Sequence, residues 1–145
     1  MLIEIRETPF DPLAELSRYQ AKPDLHGKAG ALASFIGLMR DHNEGDQVSA
    51  MCLEHYPGMT EREIARIIDE AQVRWPLLDA LVLHRVGEML PADPIVLVAV
   101  WSSHRAAAFE SCRYIMEALK SRAPFWKHET LTDRGRWVDR NTDGY

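Results

Sequence analysis

The sequence predicts an α+β fold with mixed and antiparallel sheets and about three helices. Three observations point there. Two apolar β-type runs, residues 80–86 and 95–101, follow one another across a single proline-containing turn. Two longer stretches carry apolar residues at helical spacing. Strands and helices also mix without the strict alternation that builds a parallel, doubly wound sheet.

Each element has a local reason. Residues 2–7 alternate and predict a short strand. Asp11-Pro12 caps and opens a helix to about Tyr19, with proline at the first helical position, where its missing N–H matters least. Residues 22–28, with Pro23 and Gly27, form a loop. Residues 30–39 are small and apolar around Phe35-Ile36 and predict a strand; after the polar loop 40–46, residues 48–56 alternate and are expected to pair with it as a long hairpin. Thr60-Glu61-Arg62-Glu63 fits a capping box ahead of Ile64, Ile67, Ile68, Ala71 and Trp75 on one helical face. The last helix opens near Ser103, the expected N-cap, and runs to Lys120-Ser121-Arg122 before Pro124. Phe109, Cys112, Met116 and Leu119 are expected to form its apolar stripe, and short strands at 126–132 and 136–138 close the fold.

The 145 residues read most simply as one domain, 1–145, with 46% hydrophobic and 27% charged residues. A net charge of −5 argues against a general nucleic-acid binder. The charged, alternating start is neither a signal peptide nor a membrane span. Cys52 and Cys112 make no disulfide framework, and a reducing cytoplasm is the expected setting. The six histidines are scattered, so no metal site is predicted. No cofactor motif is present either, since Walker A, GxGxxG and GxSxG patterns are all missing from the sequence.

The chemistry concentrates between Trp101 and Glu129. A strand ending in Ser102-Ser103-His104-Arg105 and opening a helix offers free N–H groups to an anion. Lys120 taken alone is a lysine snorkelling beside a helix C-terminus. The Pro124 break, however, can fold Lys127 back beside it, and two neighbouring ammoniums lower one another's pKa, which suits proton transfer. Arg40, directly after a strand, is another candidate anion ligand, though taken alone it reads as a solvated hairpin arginine, and His84-Arg85 is assigned a structural role.

The landmarks Phe35-Ile36-Gly37-Leu38-Met39-Arg40, Leu53-Glu54-His55-Tyr56-Pro57-Gly58-Met59, His84-Arg85-Val86-Gly87, Ser103-His104-Arg105 and Lys120-Ser121-Arg122-Ala123-Pro124-Phe125-Trp126-Lys127 form an ordered series. Together they resemble the large, catalytic subunit of molybdopterin synthase, over nearly the whole chain. The resemblance implies an α/β-hammerhead type of fold. It implies conversion of cyclic pyranopterin monophosphate to the dithiolene molybdopterin, in molybdenum cofactor biosynthesis. The two sulfurs come from the thiocarboxylated Gly-Gly tail of a small ubiquitin-like subunit, and two large subunits form the central dimer of a heterotetramer. Carried onto this sequence, Lys120 and Lys127 are catalytic, Arg40, His104 and Arg105 bind substrate, and Leu38, Met39, His128 and Glu129 line the pocket.

Helix length adds one constraint. Sixteen residues separate His104 from Lys120, roughly 24 Å along a helix. The pocket is therefore predicted to be shared, with Lys120, Lys127 and Arg40 from one chain and His104 and Arg105 from its twofold mate. Arg136 and Arg140 are candidates to reach across as well. The rival readings are a non-catalytic module that docks a ubiquitin-like tail or a phosphorylated metabolite, and a phosphate-ester hydrolase using His104 as base.

Overall fold

Two strands rich in valine and leucine organise the molecule because both of their faces are buried. In a computed structural model, which describes residues 1–131 and 134–139, β7 (Pro94–Ser102) sits inside a four-stranded sheet of order β1-β5-β7-β2. Its neighbours are β5 (Leu77–Arg85) and β2 (Ala31–Leu38), both antiparallel to it, while β1 (Leu2–Arg6) runs parallel to β5. Successive side chains point to opposite faces. Val96, Val98 and Val100 therefore pack under α2 (Met59–Arg74) and α3 (Arg105–Arg122), and Leu97, Ala99 and Trp101 pack on the other side with Phe10 and Leu25. A strand covered on both faces reads as a continuous apolar run, as these do.

The second sheet holds β3 (His42–Asn43), β4 (Asp46–His55), β8 (Phe125–Leu131) and β9 (Gly135–Val138), with β6 (Gly87–Met89) paired to β4. Its own apolar cluster is Met39, Val48, Met51, Leu53, Val86, Met89 and Leu131. Among the described residues, three α-helices over mixed and antiparallel sheets make the α+β arrangement expected from the sequence.

Five local expectations are corrected. Residues 30–39 and 48–56 do not form a hairpin: β2 pairs with β7, and β4 pairs with β8 from Val48 opposite Leu131 to His55 opposite Phe125. The two strands serve different cores, with Ala33 of β2 under α3 and Val48, Met51 and Leu53 of β4 in the second sheet's cluster. The loop between them makes its own two-residue hairpin, turning at Glu44 and Gly45 with φ of 52° and 81°. Helix α2 is capped two residues earlier than expected, at Gly58 rather than Thr60, and it is Glu61 whose carboxylate accepts from the Gly58 N–H. Thr60 instead points inward, its hydroxyl within hydrogen-bond distance of the Tyr56 and Pro124 carbonyls. The N-cap of α3 is His104, not Ser103, and its backbone N–H reaches the Ser102 hydroxyl at 3.4 Å. Phe109 lies outside the core at 68% exposure: α3 turns Ala108, Cys112, Ile115 and Leu119 to the core, and at 3.6 residues per turn Phe109 falls at the edge of that face. Strand β6 was not anticipated. The Asp11 cap held: its carboxylate accepts from the N–H groups of Leu13 and Ala14.

Candidate active site

The lysine pair is built by the break at the end of α3. Ala123 precedes Pro124, a position sterically pushed out of the helical region, and it is extended at φ −71° and ψ 134°. The chain turns there into β8, and Lys127 occupies its third residue. The helix end is held from outside by Arg122, whose guanidinium bonds Glu63 and Glu70 of α2 at 2.6–3.1 Å. The turn is held from inside by the Thr60 hydroxyl beside Pro124.

Lys120 and Lys127 stand in the walls of two adjoining hollows, together with Met51 and Ile95. One, of about 210 Å³, is completed by mainly apolar groups including Leu53, Phe125 and Val138, and by His84. The other, of about 90 Å³, is polar: Arg40, His42, Asn43 and Glu129 join Leu38 and Met39 around it. Burial, with the neighbouring charges of Lys127 and Arg40, lowers the Lys120 ammonium from 10.5 to about 8, against a smaller opposing effect of Glu117. Burial and Arg40 also lower Lys127, with Glu129 opposing. An amine near 8 exists as both acid and base at neutral pH, which is the condition for proton transfer.

Glu129 is buried and firmly placed. It accepts from Asn43 Nδ2 at 2.9 Å and from Arg136 Nε at 3.2 Å, while Arg136 also reaches Asp46 at 2.8 Å and the Asn43 carbonyl at 2.9 Å. Arg136, a candidate to cross to another chain, is thus engaged within its own; Arg140 lies outside the described residues. Met39 is buried, its N–H donating to the Asp93 carbonyl at 2.9 Å, and Leu38 is exposed at the rim.

Two groups of predicted residues are not brought to the lysines. His104 and Arg105 are exposed at the opposite end of α3. His128, adjacent to Lys127 in an alternating strand, faces the other side of the sheet and meets Trp137 edge-on at 5.0 Å. Conversely, the sequence reading missed His84, Asn43 and Phe125 as lining groups. Asn43 sits in a turn whose fold was not visible, and His84 ends a run so apolar that its polar member read as structure. Both cysteines fit packing: Cys112 is buried and its thiol is pushed up to about 11 by burial. Among the described residues no cluster of three or more metal-ligating side chains occurs. No described helix is long and apolar enough to cross a membrane.

Comparison with known proteins gives the chain its family. The family model described as MoaE protein matches residues 5–122. The molybdopterin synthase catalytic subunit of Ralstonia nicotianae is 54% identical over 138 residues, covering 94% of this chain and 76% of that protein. The solved molybdopterin biosynthesis MoaE protein of Burkholderia ambifaria superposes with a TM-score of 0.80 at 49% identity, covering 98% of this chain and 92% of that one. At 18% identity, a chain in the complex of subunits 1 and 2 of the Helicobacter pylori molybdopterin-converting factor shares the fold, with a TM-score of 0.80 over 97% of this chain and 92% of its own. With the match spanning most of its length, the chain belongs to the MoaE protein family.

Proposed function

We propose that this chain, as one domain, is the catalytic subunit of a molybdopterin synthase, and that the lysine pair is where sulfur is transferred. Its reaction converts cyclic pyranopterin monophosphate to molybdopterin, a step of molybdenum cofactor biosynthesis. The sulfur is delivered as a thiocarboxylate on the Gly-Gly tail of a small ubiquitin-like partner. Two copies of this chain form the centre of a heterotetramer in the cytoplasm.

The observation that carries the reading is a pair of half-buried ammoniums that line two adjoining hollows together. Sulfur attack opens a cyclic phosphate, and the oxygen that leaves needs a proton. Lys120, balanced near 8, supplies and recovers it. Lys127, also held below its ordinary range, neutralises phosphate or thiocarboxylate charge. Arg40 binds the phosphate from the polar side, beside Leu38, Met39 and the fixed carboxylate of Glu129. His128, whose ring packs edge-on against Trp137, borders the site through its backbone.

His104 and Arg105 enter the site from a second copy. They cannot share a pterin with Lys120 of their own helix, and the helix start that carries them adjoins an exposed apolar hollow lined by Phe35 and Phe109. An apolar surface of this kind is suited to a subunit contact. The test is incubation with cyclic pyranopterin monophosphate, with and without the thiocarboxylated partner. Molybdopterin formed only with the partner supports the reading. Binding without product favours a docking module, and ring opening without sulfur incorporation favours a hydrolase.

A further inference from the structure

One polar group in the larger hollow has no part in the chemistry above. His84, the last residue but one of β5, is 4% exposed and stacks on Phe125 with ring centroids 4.0 Å apart and planes 20° from parallel. Its Nδ1 lies 2.9 Å from the Arg85 carbonyl oxygen. A carbonyl only accepts, so Nδ1 carries the proton and donates. Burial and the positive fields of Lys120, His55 and Lys127 hold the imidazole down to about 3, against the Arg85 hydrogen bond, so the ring is neutral. In that tautomer Nε2 is a bare lone pair. It has no hydrogen-bond partner among the described residues, although the ring forms part of the cavity wall beside both lysines. The atom is not sealed off: among the described residues the fully enclosed side-chain nitrogen without a partner is Trp101 Nε1, so His84 Nε2 is open to the hollow and reachable by a donor.

We propose that His84 Nε2 accepts a hydrogen bond from a backbone N–H of the sulfur-bearing peptide tail, registering its terminal thiocarboxylate against Lys120 and Lys127. This rests on the functional reading given above. The larger hollow suits a glycine tail: its remaining walls are largely apolar and include no guanidinium, whereas a phosphate ester finds Arg40 and Asn43 in the other hollow. A tail without side chains can be recognised only through its backbone and its charged end. Lysine ammoniums donate and never accept, so they hold the thiocarboxylate but cannot bind an N–H. The Ser121 hydroxyl gives its proton to the Glu117 carbonyl at 3.1 Å, while the His84 ring, with Nδ1 engaged by the Arg85 carbonyl, offers Nε2 as an acceptor that cannot donate. His84 is then a binding residue for the donor substrate and takes no proton itself.

Two variants and one measurement on the unaltered chain test this. His84→Phe keeps the apolar stacking and removes the acceptor. It should raise KM for the thiocarboxylated partner about tenfold, the factor carried by one neutral hydrogen bond of roughly 1.4 kcal/mol. KM for the cyclic substrate and the thermal midpoint should not move. His84→Gln, which places a carbonyl oxygen near the position of Nε2, should restore the donor KM. An unchanged donor KM in His84→Phe, a rise confined to the cyclic substrate, or a Gln variant no better than Phe each overturns the proposal. Should neither variant fold, nitrogen NMR of histidine in the unaltered chain decides. The Nε2 resonance should move on adding the partner with an ordinary carboxylate tail and stay put with the cyclic substrate; the reverse pattern overturns the proposal. Turnover by the unaltered chain is measured alongside. If it makes no molybdopterin, the functional reading itself fails, which is a different result from a silent His84.

Discussion

Replacing Lys120 by methionine should make the protein more stable and inactive. Lys120 is pulled from 10.5 to about 8 chiefly by burial, so the folded state holds its proton less tightly than the unfolded chain does. Between pH 8 and 10.5 the unfolded state binds more protons, and stability rises with pH across that window. Below pH 8 the cost of the buried ammonium is present in full. At roughly 1.4 kcal/mol per pH unit, the displacement corresponds to about 3 kcal/mol. Methionine keeps the length of the side chain and removes the charge, so Lys120→Met should recover much of that at pH 7. With unfolding entropies near 2.1 cal/mol/K per residue, 145 residues convert 3 kcal/mol to about 10 °C in Tm. Urea unfolding at fixed protein concentration, at pH 7 and again at pH 10.5, is the assay. The variant should exceed the unaltered protein at pH 7, with the gap mostly closed at pH 10.5. A variant no more stable at pH 7, or a gap independent of pH, would refute the claim that burial holds this amine down.

The same lowered amine should show in its reactivity. An amine-selective acylating reagent at pH 8 should modify Lys120 ahead of the exposed Lys28, with a rate that titrates near 8, and Lys127→Ala should raise that midpoint because one neighbouring positive charge is gone. Equal labelling of both lysines would contradict this. Ile67, fully buried under the first sheet, should lose about 2–5 kcal/mol as Ile67→Ala, read as a lower urea midpoint at unchanged slope. Mixing a Lys120→Ala chain with a His104→Ala chain should restore part of the sulfur-transfer activity, since a shared pocket puts both lesions in one site of the mixed dimer. No recovery despite demonstrated subunit exchange would count against the shared pocket.

The parts of the fold legible in the sequence are those decided within a few residues. Asp11-Pro12 had to cap a helix, Pro124 had to end one, and the apolar runs of β5 and β7 had to be strands. What the sequence concealed depends on partners far along the chain. An alternating strand at 46–55 looks equally ready for either neighbour, and its choice of β8 over β2 follows from which core buries Val48, Met51 and Leu53. Phe109 sits on a plausible stripe, but the face that α3 buries is centred on Ala108, Cys112, Ile115 and Leu119, which leaves Phe109 outward. The lysines could be singled out because the helix break between them is local. His84 could not, because only the folded cavity distinguishes a histidine that fills space from one whose bare nitrogen meets a ligand.

The account stands on two ammoniums converging on the sulfur donor. The most direct measurement is a crystal structure of this chain with the thiocarboxylated partner. The terminal sulfur should lie within hydrogen-bond reach of both the Lys120 and Lys127 Nζ atoms, at the join of the two hollows. A tail ending elsewhere, with the two nitrogens turned apart into bulk water, would contradict it.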